Sequence, residues 1–125
     1  MQMTESTLEV RLTTTMTGGV SLAIWMAVVT REINLLAQAS HWHRARGTFS
    51  THGQLTKESA ASVKPYAELS DPLDMVVDVE ILSGTSARGI NGALLASSRV
   101  TRSDLGGLRD RWLDLGAFCS LYGER

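Results

Sequence analysis

The chain has 125 residues, 43 % of them apolar and 20 % charged, which gives room for one globular domain with a modest core. Its formal net charge of −1 supplies no field to gather nucleic acid or an anionic membrane surface. A single cysteine, Cys119, excludes an internal disulfide framework and fits a reducing, cytoplasmic setting, where it packs as a small hydrophobe.

The N-terminus carries Glu5 and Glu9 ahead of its first basic residue, Arg11, so it lacks the basic-then-apolar layout of a signal peptide. Residues 8–16 are rich in β-branched side chains and predict a strand. Thr17-Gly18-Gly19 breaks it, and a helix is expected over 21–38. The first half of that helix is apolar nearly all round and its second half carries Arg31, Glu32 and Asn34, which predicts buried first turns and a solvated end. Its most apolar stretch, Val20 to Val29, is half of the roughly 20 residues a membrane span needs, so no transmembrane segment is expected. Residues 39–73 read as a long polar connection with room for a short helix at 57–69.

A second strand is expected over 76–82, with Val77, Val79 and Ile81 on one face and Asp78 and Glu80 on the other. Gly84-Thr85-Ser86-Ala87-Arg88-Gly89 follows, and then a small-residue helix over 87–99. Ser103-Asp104 is placed to cap a last helix over 105–116, in which Leu105, Leu108, Trp112 and Leu115 share a face. The order β-α-loop-β-α-α predicts an α/β fold with a parallel sheet.

A serine between glycines at a strand-to-helix turn has the layout of a nucleophile elbow, with Ser86 pushed out of the sheet beside a helix N-terminus. In a parallel sheet both glycine turns lie at the strands' carboxyl ends, where open α/β sheets place ligand sites. The amides of Gly18, Gly19 and Val20 could then form an oxyanion hole for Ser86. The competing reading is two tight turns in which glycine supplies backbone freedom alone. His41, His43 and His52 all precede Ser86, so a Ser–acid–His chain order cannot be completed; Asp104, Asp110 and Asp114 follow it but look like a cap and a solvated face. The histidines lack acidic or cysteine neighbours at ligand spacing and read as exposed loop residues, so no metal and no cofactor is expected. Trp25, Trp42 and Trp112 read as packing or loop residues.

These motifs resemble the N-terminal part of a patatin-like phospholipase domain, in a bacterial branch. Val77-Asp78-Val79-Glu80-Ile81-Leu82-Ser83-Gly84-Thr85-Ser86-Ala87, continuing through Gly89 to Leu94, is similar to the family's strand, elbow and following helix. Gly18 to Met26 is similar to its oxyanion loop and first helix, and Leu108 to Gly116 to its next helix. The resemblance implies a partial three-layer α/β/α fold and acyl-ester hydrolysis by a Ser–Asp dyad. Ser86 would be the nucleophile, Gly18, Gly19 and Val20 the oxyanion-hole backbone, and Gly84, Thr85, Ala87, Arg88 and Gly89 the elbow turn. The family's aspartate sits in a downstream Asp-Gly pair, and this chain has no Asp-Gly. It also carries Arg88 where the elbow has glycine, Val20 for a loop glycine, Leu22 for a basic residue and Ala27-Val28 for small glycines. The expectation is therefore a single incomplete domain over 1–125, a split or decayed lipid acyl hydrolase. Its expected partners are a lipid or other acyl ester, and a complementary C-terminal chain or a second copy.

Overall fold

The computed structural model describes residues 7–17, 22–42 and 56–122. The elements are β1 (Leu8–Met16), α1 (Ala23–Trp42), α2 (Lys57–Ser70), β2 (Met75–Gly84), α3 (Ala87–Thr101) and α4 (Leu108–Tyr122). β1 and β2 pair in parallel from Leu8↔Met75 to Met16↔Gly84, so both strands end side by side. The mixed α/β architecture with a parallel sheet is as expected; α1 extends four residues beyond the predicted end at 38. α2 stands where a short helix is expected over 57–69 and runs one residue further, and α4 starts at Leu108 rather than 105.

Val76 and Val77, neighbours that point to opposite faces of the sheet, are both buried, so β2 is covered on both sides at this end. The expected alternation then fails. Register slips between Leu12 and Thr13, opposite which Glu80 is the extra residue of a bulge, and Ile81 emerges 54 % exposed.

α1 is the central packing element, lying against α2, α3, α4 and β2. Its first turns are buried on one face, through Ala23, Ala27 and Thr30, with Trp25 exposed on the other. The end expected to be solvated is instead interior: Asn34, Leu35, Ala37, Ala39 and Ser40 are buried. The polar residues there have partners inside the fold, so their polarity does not mark solvent. Asn34 Nδ2 donates to the Ser103 carbonyl at 3.0 Å, and its Oδ1 accepts from Ser98 Oγ at 2.9 Å. Ser40 Oγ accepts from the Val77 amide at 2.9 Å.

α2 starts where Thr56 Oγ1 accepts from the Ser59 amide, and Asp104 clamps that start from across the chain. Asp104 Oδ2 accepts from Thr56 N at 2.9 Å, and Oδ1 from Ser59 Oγ at 2.8 Å and Gly106 N at 3.0 Å. The residue expected to cap the last helix thus secures α2 instead. Gly106 is required there, because a Cβ would overlap the Thr56 and Ser59 side chains.

Glu32 joins α1 to α2. Tyr66 Oη donates to its Oε2 at 2.6 Å and Arg31 Nη2 to its Oε1 at 2.6 Å. Burial pushes the Glu32 carboxyl up, but these donors outweigh it and hold the group below its ordinary 4.5. Burial, and then the Glu32 carboxylate, push the Tyr66 hydroxyl up to about 12. A lowered carboxyl contributes stability that is present above 4.5 and lost as pH falls through its folded value. A raised phenol contributes stability present below its ordinary 10.0 and lost as pH climbs toward about 12. Tyr66→Phe is expected to cost about 1 kcal/mol near neutral pH. Urea midpoints followed across pH should show the variant losing less than the wild type at both extremes.

Candidate functional site

The chain leaves β2 at Gly84 and enters α3 at Ala87, so the reversal is made by two residues, Thr85 and Ser86. Ser86 takes φ 56° and ψ −139°, outside the regions an L-residue adopts freely. Such a conformation costs of order 1–3 kcal/mol and persists only where the surroundings impose it. Two turn-closing bonds accompany it here. The Arg88 amide donates to the Thr85 carbonyl at 3.3 Å and the Gly89 amide to the Ser86 carbonyl at 3.0 Å. Ser86 is exposed at the tip, and its hydroxyl makes no capping bond to the helix.

The turn closes through the mutual approach of Gly84 and Gly89. A Cβ on Gly84 would meet the Arg88 carbonyl carbon and oxygen and Gly89 Cα at 3.1 Å; a Cβ on Gly89 would meet the Gly84 oxygen at 3.1 Å. Gly89, rather than position 88, is the second residue that must be small. Arg88 has no positive φ, so the backbone strain that an arginine could introduce at that position is not present. The strain lies at Ser86.

Replacing Ser86 by glycine should relieve that strain. Glycine gives back up to about 1 kcal/mol through the unfolded chain, so a net gain of about 1 kcal/mol is expected. Chemical-denaturation midpoints check this, and Ser86→Ala, which keeps a Cβ, should show no such gain.

Gly18, Gly19 and Val20 lie outside the described residues, as do His43 and His52 and the side chains of Trp42, Ala87 and Cys119. The start of α1 is tied to the rest of the fold through Asn91. Asn91 is fully buried; its Nδ2 donates to the Ala23 carbonyl at 3.1 Å, and its Oδ1 accepts from Trp112 Nε1 at 2.7 Å. One side chain, five residues beyond Ser86, thus ties the start of α1 to α3 and α4. No motif marks Asn91 in the sequence; its signal is a place on the i, i+3, i+7, i+10 row with Arg88, Leu95 and Ser98. Trp112 is a packing residue, as read, with an added polar role.

Among the described residues no hydrogen bond or ion pair joins Asp104, Asp110 or Asp114 to Ser86. Asp104 is spent on the start of α2, and Asp110 and Asp114 are exposed on α4. His41 is in the last turn of α1, not a loop, and its Nε2 lies 3.1 Å from Asp78 Oδ1, which also accepts from Arg99 Nη2 at 2.7 Å. Asp78 is six residues before Gly84 on β2, and a strand rises about 3.3 Å per residue, so this cluster is on the order of 20 Å from the elbow. Among the described residues no cluster of His, Cys, Asp and Glu could hold a metal, and no helix is long and apolar enough to cross a membrane.

No known family's sequence profile matches the chain, and no solved structure matches it. The chain is 74 % identical over 121 residues to the uncharacterized membrane protein Rv3479 of Mycobacterium tuberculosis. That match takes in 97 % of this chain and 11 % of the relative, so the chain spans about a tenth of that protein's length.

Proposed function

We propose that the chain is a partial three-layer α/β/α domain of the patatin-like kind, with Ser86 placed as the nucleophile of a lipid acyl-ester hydrolase. The observation that carries this reading is the conformation of Ser86, φ 56° and ψ −139° at an exposed strand-to-helix tip. A fold holds a serine so only against a cost, and presenting a hydroxyl to a substrate is what such a turn does. Burial of both faces of β2 and the side-by-side ends of β1 and β2 support the layered arrangement. They also support a role for the Gly18, Gly19 and Val20 amides, with that of Ala87, in receiving the oxyanion.

In this reaction Ser86 Oγ attacks the acyl carbonyl, a base takes the serine proton and returns it to the departing alkoxide, and water then releases the acid. On this reading the nucleophile lacks a base: the sequence contains no Asp-Gly pair, and among the described residues no hydrogen bond or ion pair joins a carboxylate to Ser86. In a protein as long as the Mycobacterium tuberculosis relative, the base would come from outside the matching segment. The isolated chain is therefore expected to hydrolyse a short-chain aryl ester no faster than Ser86→Ala. A robust rate that disappears in the variant would place a working base within these residues and overturn the incomplete-site part of the reading.

A second reading, a non-catalytic interaction module that pairs through its sheet edge, is favoured by the surface of α3. Ile90, Leu94 and Val100 are exposed there, Val100 at 85 %, next to a two-stranded sheet. Concentration-dependent association by sedimentation, with no reactivity at Ser86, is the result that reading predicts.

A further inference from the structure

The two edges of the sheet are unlike. The Leu8 amide donates to the Asp74 carbonyl at 3.1 Å, so Leu8 turns its peptide groups toward β2. Peptide groups alternate along a paired strand, so those of Glu9, Arg11, Thr13 and Thr15 point away from β2. Among the described residues no main-chain bond reaches them. The same alternation turns Val77 outward on β2, and there α1 covers the edge, with Ser40 Oγ accepting from the Val77 amide. β1 has no such cover. It is nine residues long and contains neither proline nor lysine, two common guards of an open edge. The register slip puts its extra residue on β2, so β1 itself stays regular.

The side chains of this edge match a copy of themselves. In a two-fold antiparallel pair the outward peptide groups of one β1 must meet those of the other, which leaves few registers. Centred on Glu9 or on Arg11, the pair sets like charges opposite each other, which is unfavourable. Centred on Leu12, both charges face threonine. Centred on Val10, Glu9 faces Arg11 of the second copy, and this happens twice. In that register Leu8, 50 % exposed in the single chain, is covered by Leu12 of the second copy, and Val10 meets Val10. Arg11 Nε already lies 3.1 Å from Glu9 Oε1 and Nη1 3.5 Å from Glu80 Oε1 on this exposed face, so the new pairs extend a row of alternating charge.

We propose that β1 pairs antiparallel with β1 of a second copy about Val10, giving one four-stranded sheet in the order β2-β1-β1-β2. The inference rests on the sheet-edge pairing of the second reading and not on the chemistry of Ser86. A two-fold pair uses both open edges and leaves outside the β2 edges that Ser40 blunts, so assembly closes at the dimer. It also gives the sheet more than the two strands that are marginal on their own.

The test is sedimentation of the full chain over a range of concentrations in reducing buffer. The wild type is expected to pass from monomer to dimer and no further. Glu9→Arg sets like charges opposite each other at both ends of the pair and should weaken the dimer about tenfold or more. It leaves the Arg11–Glu80 pair in place, so the fold is kept. Glu9→Arg and Arg11→Glu combined in one chain restore opposite charges and should restore the dimer. Oxidative cross-linking in a Cys119→Ser background reads the register separately. Val10→Cys faces itself across the two-fold axis with Cα atoms about 4.5 Å apart and should link the dimer; Leu12→Cys should not. A chain that is monomeric at every concentration overturns the proposal and the second reading together. Association that ignores Glu9→Arg, or that Leu12→Cys links and Val10→Cys does not, overturns the proposal alone and leaves the second reading standing.

Discussion

Asn91→Leu is expected to lower stability by roughly 2–4 kcal/mol, and by more than any other single side-chain replacement near the elbow. Leucine keeps the branching and heavy-atom count of asparagine, so the main loss is of hydrogen bonds, with some overpacking from its bulkier methyl groups. One group would be stranded, Trp112 Nε1 on α4, while the Ala23 carbonyl in the first turn of α1 keeps its helical bond and loses a second donor. An unsatisfied buried group costs about 1–3 kcal/mol, with Trp112 toward the low end because its half-buried side chain can reach water, and the lost bond to Ala23 adds about 1 kcal/mol. The distinguishing feature is where the damage falls. Hydrogen exchange should quicken at the start of α1 and in α4 before it does in β2, because Asn91 is the residue that holds these segments to α3. Asn91→Asp should recover none of the loss, since it sets a carboxylate at a fully buried position against the Ala23 carbonyl.

Gly84→Val is the second large effect. Its Cβ would arrive 3.1 Å from three backbone atoms of Arg88 and Gly89, and backbone in the first turn of a helix cannot rotate aside as a side chain does. Overpacking of this kind costs about 1–3 kcal/mol, and here it also pushes α3 away from the end of β2. Unfolding midpoints should fall for Gly84→Val and Gly89→Val alike, because each glycine is the other's contact. Gly92→Ala is the control: a Cβ there meets nothing within 4 Å, and alanine favours the helix by about 1 kcal/mol.

The parts of the fold legible in the sequence were those written in backbone preference. The β-branched run gave β1 its observed bounds, and Ser86 between glycines located the elbow. What misled was polarity. On α3 the inward row is Arg88, Asn91, Leu95 and Ser98, while Ile90, Leu94 and Val100 face outward. On α1, Asn34 and Ser40 are interior. A rule that sends polar residues to solvent fails where side chains bond across helices, and only three dimensions show that Ser103 and Val77 are their partners. Asp104 was read as a local cap because its true partner, Thr56, lies 48 residues away. The motif places its second glycine at position 88, whereas the backbone approaching Gly84 is the Arg88 carbonyl and Gly89 Cα, and the glycine needed is Gly89.

The strain at Ser86 and the use made of it stand or fall on one chemical experiment. A fluorophosphonate reporter offers phosphorus to a serine oxygen; attack forms the O–P bond, fluoride leaves, and the proton passes to solvent. With the folded chain and excess reporter, a single slow adduct is expected on Ser86, located by peptide mass mapping and absent from Ser86→Ala. A folded chain that takes up no reporter at Ser86, or takes it up equally in the variant, would contradict the assignment of this serine as a nucleophile.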